Sequence, residues 1–322
     1  MRYFLGIDAG GTKTVGALAD EERELARAEG GTIKLLRTGK EDARKNLASL
    51  LTQLASRAGI ELSSVSRICI GTSGASVPLV ANWIRETVPL LTGGELLLCG
   101  DEEIALDAAF RGGPGILVVA GTGSNVAGRT HDGQIAHAGG WGPALGDEGS
   151  GYWIGQQALR LGFRALDENR PTQLLQSILH HWKLAGIDTL VEAANATPSP
   201  DFSRLAPVVI ACAAEGDALA LELLQKAGEE LARLALLVLR QLRRMGELPA
   251  PRVGFTGSVL ANSGQVRASM IHALLRESPE MEILQEAIDP IQGAIWRART
   301  SAVEPAGRSA RPADGGNRTR QK

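Results

Sequence analysis

Residues 7–14 read Ile-Asp-Ala-Gly-Gly-Thr-Lys-Thr, and residues 119–125 read Val-Ala-Gly-Thr-Gly-Ser-Asn. In each stretch an apolar run, typical of a buried strand, enters a turn of Gly and Thr and leaves it into a second strand. A strand–turn–strand unit that occurs once in each half of the chain predicts two similar lobes facing each other. Clefts between lobes are a usual place for ligands, so we expect the functional site there.

The two turns have the composition of phosphate-binding loops. Glycine lacks a Cβ atom, so backbone N–H groups in such turns can approach phosphate oxygens closely. Thr12, Lys13 and Thr122 add hydroxyl and ammonium donors, and Asp8 at the end of the first strand is placed to hold Mg²⁺ through water. Neither turn has the spacing of a Walker loop or a Rossmann fingerprint. A hairpin also uses Gly for its geometry alone, and it is the pairing of the turns that favours phosphate binding.

A third stretch, from Gly139 to Trp153, reads GGWGPALGDEGSGYW. Four of its glycines and its Asp-Glu pair lie between two tryptophans, which indicates a binding segment rather than a plain loop. The alternative is a rigid turn in which Asp147 caps a helix that begins near Ser150, because Asp is a preferred N-cap residue.

The composition is that of a globular protein and excludes several classes of partner. A chain of 322 residues is long enough for two domains. Its net charge of -2 provides no positive field for nucleic acid or an anionic membrane. No apolar run has the length of a membrane span or a signal peptide, so we expect a cytoplasmic protein. The cysteines, Cys69, Cys99 and Cys212, lack metal or disulfide spacing, and we predict that they are buried.

Apolar periodicity and turn residues predict the secondary structure and the domains. The predicted strands are 3–7, 14–19, 65–70, 96–99, 116–120 and 252–256, and the predicted helices are 42–58, 80–88, 102–110, 219–245 and 287–300. Asp217 and Gly246 are the predicted caps of the longest helix. We expect a first lobe over residues 1–112, a second over 113–286, a closing helix over 287–302 and a disordered tail over 303–322.

Five motifs occur in the order of one known family. IDAGGTKT and GTGSN are followed by GGWG…GDEGS…YWIG, by GFTGSV at Gly254–Val259 and by DPIQGA at Asp289–Ala294. Over residues 3–300 the chain thereby resembles the N-acetylglucosamine kinase branch of the actin/hexokinase/Hsp70-type ATPases, which is grouped with the BadF-type ATPases. The resemblance implies an α/β fold of two RNase H-like domains around an interdomain cleft. It also implies ATP, Mg²⁺ and an amino sugar as ligands.

The resemblance assigns a role to individual positions. It implies Asp101 as the catalytic carboxylate and Asp8 as the Mg²⁺ residue. The implied ATP-binding residues are Gly10, Gly11, Thr12, Lys13, Gly121, Thr122, Gly123, Gly257, Ser258 and Asn262. The implied substrate-binding residues are Lys34, Asp101, Ser124, Asn125, Gly140, Trp141, Gly142 and Asp147. Lys34 departs from the asparagine of the family, and its ammonium would favour a sugar that bears a carboxylate. Asp101 is also a candidate N-cap of the helix that follows it, a role compatible with catalysis.

Three functions compete at this point. The first is a kinase that transfers a phosphoryl group from Mg·ATP to an amino sugar. The second is an ATP-driven activator of a redox partner, whose relatives resemble one another in holding an iron–sulfur cluster with loop cysteines across a dimer. The cysteines of this chain lie in predicted strands and a helix, which argues against it. The third is a sugar sensor, disfavoured by the presence of both Asp8 and Asp101. The sugar itself, its N-acyl group and a homodimeric state stay open.

Overall fold

The computed structural model describes residues 1–11, 13–246 and 250–301. Thr12 and the tail predicted over 303–322 lie outside these ranges. The first half of the chain forms β1 (Tyr3–Ala9), β2 (Lys13–Ala19), β3 (Glu24–Gly31), α1 (Leu35–Thr38), α2 (Lys40–Ala58), β4 (Val65–Gly71), α3 (Pro78–Thr87), β5 (Glu95–Cys99) and α4 (Asp101–Phe110). The second half forms β6 (Gly115–Ala120), β7 (Ser124–Arg129), β8 (Ile135–Gly139), α5 (Gly151–Asp167), α6 (Leu174–Trp182), α7 (Ile187–Ala194), α8 (Ala206–Ala214), α9 (Ala218–Met245), β9 (Arg252–Thr256), α10 (Ser258–Asn262), α11 (Gly264–Glu277), β10 (Glu282–Ile283) and α12 (Pro290–Thr300).

Two five-stranded sheets share one plan. The first has the order β3-β2-β1-β4-β5 and the second the order β10-β9-β6-β7-β8. In each, three consecutive strands form an antiparallel meander, and two further strands join the first of them in parallel. The duplicated strand–turn–strand unit predicted from the sequence is therefore confirmed, and so is the mixed α/β fold class. The residue boundaries between the lobes stay predictions.

Helix packing follows the apolar periodicity of the sequence. The face of α2 that carries Leu47, Leu50 and Leu54 is fully buried against the first sheet. The long helix α9 covers the second sheet, and Asp217 caps it as predicted, with Oδ1 accepting a hydrogen bond from Ala220 N at 2.9 Å. Gly246 is the C-cap of this helix, as predicted; it adopts an extended conformation, and its N–H donates to the carbonyl of Leu242 at 3.0 Å. No helix in the described ranges has the length and apolar character needed to cross a membrane.

Three predicted helix starts need correction. The closing helix begins at Pro290 rather than at 287, because Asp289 caps it and proline is favoured at the first helical position. Ser150, not Asp147, caps α5, since its Oγ accepts a hydrogen bond from Trp153 N at 3.1 Å. Asp101 is the first residue of α4, and Gly100 holds the cap position.

Helices α4 and α12 lie between the two sheets. Ile104 of α4 packs with Phe4 and Ala294 on the side of the first sheet. Leu106 and Phe110 of the same helix pack with Leu117 of the second sheet. The two helices touch backbone to backbone, because a Cβ atom at Gly293 would lie 1.7 Å from the carbonyl oxygen of Ile104. The position of each sheet relative to the other therefore depends on this helix pair.

Replacing Gly293 with alanine is expected to destabilise the protein strongly. The new methyl group meets backbone atoms that cannot rotate away, so we expect a loss of at least about 2–3 kcal/mol in the free energy of unfolding. Gly264→Ala is the matched control, because nothing lies within 4 Å of its Cβ position in α11. Urea unfolding of both variants measures the difference. Equal stability of the two would show that α4 and α12 are not in backbone contact.

Candidate active site

The first glycine turn connects β1 to β2, and side chains that follow β3 donate hydrogen bonds to its carbonyl groups. The hydroxyl of Thr32 donates a hydrogen bond to the carbonyl of Gly10 at 2.8 Å, and Arg37 donates to the carbonyl of Gly11 at 3.3 Å. Lys13, which was predicted to bind ATP, pairs with Glu29 on the surface at 2.7 Å, and both side chains are more than half exposed. The structure thus places Gly10 and Gly11 in the turn but directs the Lys13 ammonium elsewhere.

The second glycine turn, residues 121–123, docks on the start of α5. Gly151 N donates to the carbonyl of Gly121 at 2.8 Å, and Tyr152 N donates to the carbonyl of Thr122 at 3.1 Å. The carboxylate of Asp147 lies against Gly123, where a Cβ atom would be only 2.8 Å from Oδ2. Asp147, which was predicted to bind sugar, is buried where the turn meets the segment from Gly139 to Trp153.

The backbone N–H groups of Ser124 and Gly142 face the Asp147 carboxylate and favour its ionised form. Burial raises its pKa, and the two N–H donors act in the opposite direction. The carboxylate therefore anchors the loop to the turn. Gly140 and Gly142 adopt positive φ angles in this loop, and Trp141 between them is 68% exposed.

A cavity of about 310 Å³ adjoins the second turn. It brings together four predicted ATP-binding residues, namely Gly121, Thr122, Ser258 and Asn262. Its opposite wall is apolar and comes from α8, with Ala206, Pro207 and Ile210. Next to this cavity the ends of β6 and β9 come close together, because a Cβ atom at Gly257 would lie 2.3 Å from the carbonyl of Ala120. Polar groups on one side and an apolar wall on the other fit a nucleoside.

The sequence did not predict that residues of α8 would form an apolar wall of this cavity. Alanine, proline and isoleucine occur throughout the chain, so composition carries no signal for these three positions. Only the packing of α8 against α5 and α9 brings them to the cavity.

Two carboxylates and one ammonium meet at an edge of the first sheet. Asp8 ends β1 and Asp101 follows β5, and both strands run parallel to β4 between them. The pKa of Asp8 is raised to about 6, first by burial and then by the Asp101 carboxylate, while the ammonium of Lys34 opposes both effects. Burial also raises the pKa of Asp101, again opposed by Lys34. The carboxyl ends of parallel strands are where α/β folds bind ligands, and the carboxylates lie there.

The donor set at this edge fits Mg²⁺ that is held together with phosphates. The described residues contain no group of three or more His, Cys, Asp or Glu side chains that would form a closed metal site. Magnesium bound to phosphates keeps several waters and needs only one or two carboxylates from the protein. Asp8, half-buried near the end of β1 and beside the first glycine turn, meets that need.

A second cavity, of about 500 Å³, opens next to Asp101. The loop after β4 contributes Thr72, Ser73 and Ser76, and β8 of the second sheet contributes Ile135 and His137. The Lys34 ammonium lies at this cavity, since its Nζ donates to Ser73 Oγ at 2.5 Å. Hydroxyl groups, an ammonium and a carboxylate around a cavity of this size fit a polyhydroxylated acceptor such as a sugar.

Two predicted sugar-binding residues differ in whether their side chains have a polar atom left to bind a ligand. The Ser124 hydroxyl is buried and donates to the carbonyl of Glu148 at 2.8 Å, so it serves the structure. The Asn125 amide donates to Glu102 Oε1 at 2.5 Å, while its own oxygen has no hydrogen-bond partner among the described residues. Glu102, whose other oxygen faces His137 Nδ1 at 2.8 Å, was missed by the sequence analysis.

The cysteines are buried, as predicted from their apolar surroundings. Cys69 on β4 and Cys99 on β5 are distant in sequence, but the parallel strands bring their sulfur atoms to 3.8 Å. Cys212 lies in the core of the other lobe, on α8. A cluster bridging two subunits needs thiols at the surface, and these three do not provide them.

The fold is that of the actin-like ATPases, with two mixed sheets, two glycine turns and two domains. It is similar to the ROK hexokinase from Thermus thermophilus, with a TM-score of 0.55 and 17% identity over 92% of this chain and 97% of that chain. Residues 5–298 match the BadF/BadG/BcrA/BcrD ATPase family, and the chain belongs to this family.

Two relatives resemble the chain over nearly its whole length. A candidate N-acetylglucosamine kinase from Chromobacterium violaceum is similar in structure, with a TM-score of 0.71 and 32% identity over 92% of this chain and 98% of that chain. The N-acetylmuramic acid/N-acetylglucosamine kinase of Clostridium acetobutylicum is 29% identical over 307 residues, which are 93% of this chain and 99% of that protein.

The raised pKa of Asp8 predicts how the ligand-free protein responds to pH. Between its ordinary value of 3.8 and about 6, the unfolded chain ionises Asp8 while the folded protein keeps the proton. The folded state therefore loses stability as pH rises through this window, by roughly 3 kcal/mol at pH 8 and about half of that at pH 5. Asp8→Asn removes the effect, so its stability relative to wild type should grow by about 1 kcal/mol from pH 5 to pH 8.

Urea unfolding at the two pH values, without nucleotide or Mg²⁺, measures this difference. Asp20→Asn is a control in which the substitution should change stability in the opposite direction. Hydrogen bonds from the backbone N–H groups of Arg23 and Glu22 lower the pKa of Asp20, so its ionised form stabilises the fold. That variant should lose stability at neutral pH. A difference between Asp8→Asn and wild type that does not change with pH would contradict a raised pKa.

Proposed function

We propose that the protein is an ATP-dependent kinase that phosphorylates a hydroxyl group of an amino sugar of the N-acetylglucosamine type. The observation that carries the proposal is the position of Asp101, which lines the 500 Å³ cavity and is near enough to Asp8 to raise the pKa of that carboxyl. The relatives named above, which are kinases of N-acetylated amino sugars by their descriptions, support the same substrate class.

Asp101 is the residue that would activate the acceptor. Its carboxylate takes the proton of the sugar hydroxyl as the hydroxyl oxygen bonds to the γ-phosphorus of ATP and the bond to the β–γ bridging oxygen breaks, releasing ADP. A base must be ionised to accept a proton. Burial works against ionisation of Asp101, and the Lys34 ammonium favours it, so the pKa of Asp101 is raised only in part.

The remaining predicted ATP contacts orient the phosphate donor. Gly10, Gly11 and Gly123 lie in the two turns, where the missing Cβ atom lets phosphate oxygens approach the backbone, and Gly121 and Ser258 line the nucleoside cavity. Mg²⁺, when bound near Asp8, supplies positive charge that offsets the charge of the transferring phosphoryl group. We place the reaction in the cytoplasm, where ATP is plentiful, and a homodimer stays a prediction.

Asp101→Asn is expected to fold normally and to lose turnover. Asparagine keeps the size of the side chain and the oxygen that accepts a hydrogen bond from Glu102 N at 3.1 Å, but it cannot take a proton. The expected loss in kcat is about 10²–10⁴-fold, with nucleotide affinity near that of wild type. Coupled ADP release over glucosamine, N-acetylglucosamine, N-acetylmuramic acid and glucose measures it, together with thermal melting.

Asp188→Asn is the matched control for this experiment. Asp188 also lies in the first turn of a helix, α7, but it is exposed and far from either cavity in sequence and fold. Losing its charge should cost stability by about 0.3–1 kcal/mol and leave turnover unchanged. Turnover by Asp101→Asn within a few-fold of wild type would refute the assigned base, and unfolding of that variant would assign the carboxylate a structural role.

Lys34 is expected to set the preference between charged and neutral acceptors. An ammonium at the acceptor cavity favours a sugar carboxylate, by about 5- to 100-fold in kcat/KM if the pair forms. Lys34→Asn should therefore lower the ratio of kcat/KM for N-acetylmuramic acid to that for N-acetylglucosamine. Lys45→Asn, a change on the exposed side of α2, is the control. An unchanged ratio would show that the ammonium serves only Asp8, Asp101 and Ser73.

A further inference from the structure

Glu102 connects the helix that carries Asp101 to the opposite sheet. It is the second residue of α4, and both of its carboxylate oxygens are in use. Oε1 accepts a hydrogen bond from Asn125 Nδ2 at 2.5 Å, and Oε2 lies 2.8 Å from His137 Nδ1. Asn125 belongs to β7 and His137 to β8, so one carboxylate holds two side chains of the other lobe.

The chemistry of these groups determines how the Asn125 amide is oriented. An ionised carboxylate can only accept hydrogen bonds, so the amide nitrogen of Asn125 must face Glu102. The amide oxygen then points away from Glu102. It is buried, and no donor among the described residues reaches it. Buried acceptors without a partner are rare in folded proteins, and this one belongs to a side chain that bonds Glu102, a residue that lines the 500 Å³ cavity.

We propose that Glu102 is a positioning residue that fixes the Asn125 amide with its oxygen toward the acceptor, so that the acceptor must present a hydroxyl or N–H donor at that point. The inference rests on the proposed kinase function and adds a recognition rule to it. Glu102 does not serve as the base, because two donors from the opposite lobe already occupy its oxygens. Its effect is on acceptor binding rather than on proton transfer.

The variants that test this differ in one property. Glu102→Ala removes the acceptor of the Asn125 amide, and Glu102→Met does so while keeping most of the side-chain volume. Glu102→Gln is the conservative variant, since its amide oxygen accepts from Asn125 while its nitrogen faces His137. Neutral histidine can accept that bond at Nδ1 with its proton on Nε2.

Steady-state kinetics should separate acceptor binding from chemistry. In Glu102→Ala and Glu102→Met we expect KM for N-acetylglucosamine to rise about 5- to 100-fold, with kcat and KM for ATP within about 3-fold of wild type. Glu102→Gln should restore KM to within about 3-fold. A loss of kcat at unchanged acceptor KM would overturn the proposal, because Glu102 would then act in the chemical step.

Deoxy sugars show whether Asn125 is the group that Glu102 positions. Wild type should lose about 5- to 100-fold in kcat/KM with one monodeoxy analogue of N-acetylglucosamine, the one that lacks the donor to Asn125. That penalty should vanish in Asn125→Ala, shrink in Glu102→Ala and Glu102→Met, and persist in Glu102→Gln. The same penalties in all variants would refute the proposal.

Wild-type turnover of N-acetylglucosamine itself tests the underlying kinase function. If wild type phosphorylates none of the amino sugars, the proposed function fails before Glu102 is at issue. If it does and the variants follow wild type, only the positioning role fails. Glu102→Ala could also melt well below wild type. In that case the comparison of the volume-matched Glu102→Met with the conservative Glu102→Gln decides whether Glu102 positions Asn125.

Discussion

Asp107 is a buried carboxylate that two guanidinium groups from different parts of the fold neutralise. Its Oδ1 accepts from Arg129 Nη1 on β7 at 2.7 Å, and its Oδ2 accepts from Arg297 Nε on α12 at 2.6 Å. Only 1% of Asp107 is exposed, so its carboxylate depends on these two guanidinium groups rather than on water. Removing one member of such a buried network typically costs about 3–5 kcal/mol. Because Asp107 lies on α4, the network ties α4 to α12 and to the second sheet at once.

The candidate site depends on this connection because α4 begins with Asp101. Arg297 also pairs with Glu103 at 2.9 Å, and Glu103 Oε1 accepts from Gly100 N at 3.0 Å. The first turn of α4 is thus held by its own capping residue and by the closing helix. A side chain on a helix end that is fixed in this way keeps its direction better than one on a loop, which suits a group that must meet a hydroxyl accurately.

The electrostatics of the site oppose the stability of the ligand-free fold. Burial raises the pKa of Asp8, Asp101 and Asp147, which means that their ionised forms are disfavoured where they stand. The groups that oppose this effect differ: they are the backbone N–H groups of Ser124 and Gly142 for Asp147, and the ammonium of Lys34 for Asp8 and Asp101. Ionised groups that lack full compensation in the folded protein are a common feature of functional sites.

Local patterns in the sequence were sufficient for much of the fold. The glycine turns after β1 and β6, the apolar face of α9 and the cap at Asp217 each depend on residues within a few positions of one another. The same local reasoning failed where two polar residues compete for one role. Asp147 and Ser150 are both good caps, and the choice of Ser150 depends on the carboxylate of Asp147 being engaged by N–H groups of the second turn and the loop.

The sequence by itself determined the duplicated strand–turn–strand unit, the glycine-rich character of its two turns and the positions of Asp8 and Asp101 near the ends of strands. Those features follow from the period of apolar residues and from glycine at fixed offsets, which operate over short stretches of chain. Only the tertiary structure decided that Lys13 turns to Glu29 and that Glu102 meets Asn125 and His137. These contacts join residues on different strands and lobes, and their partners are set by strand order and helix packing, which no short stretch of sequence encodes.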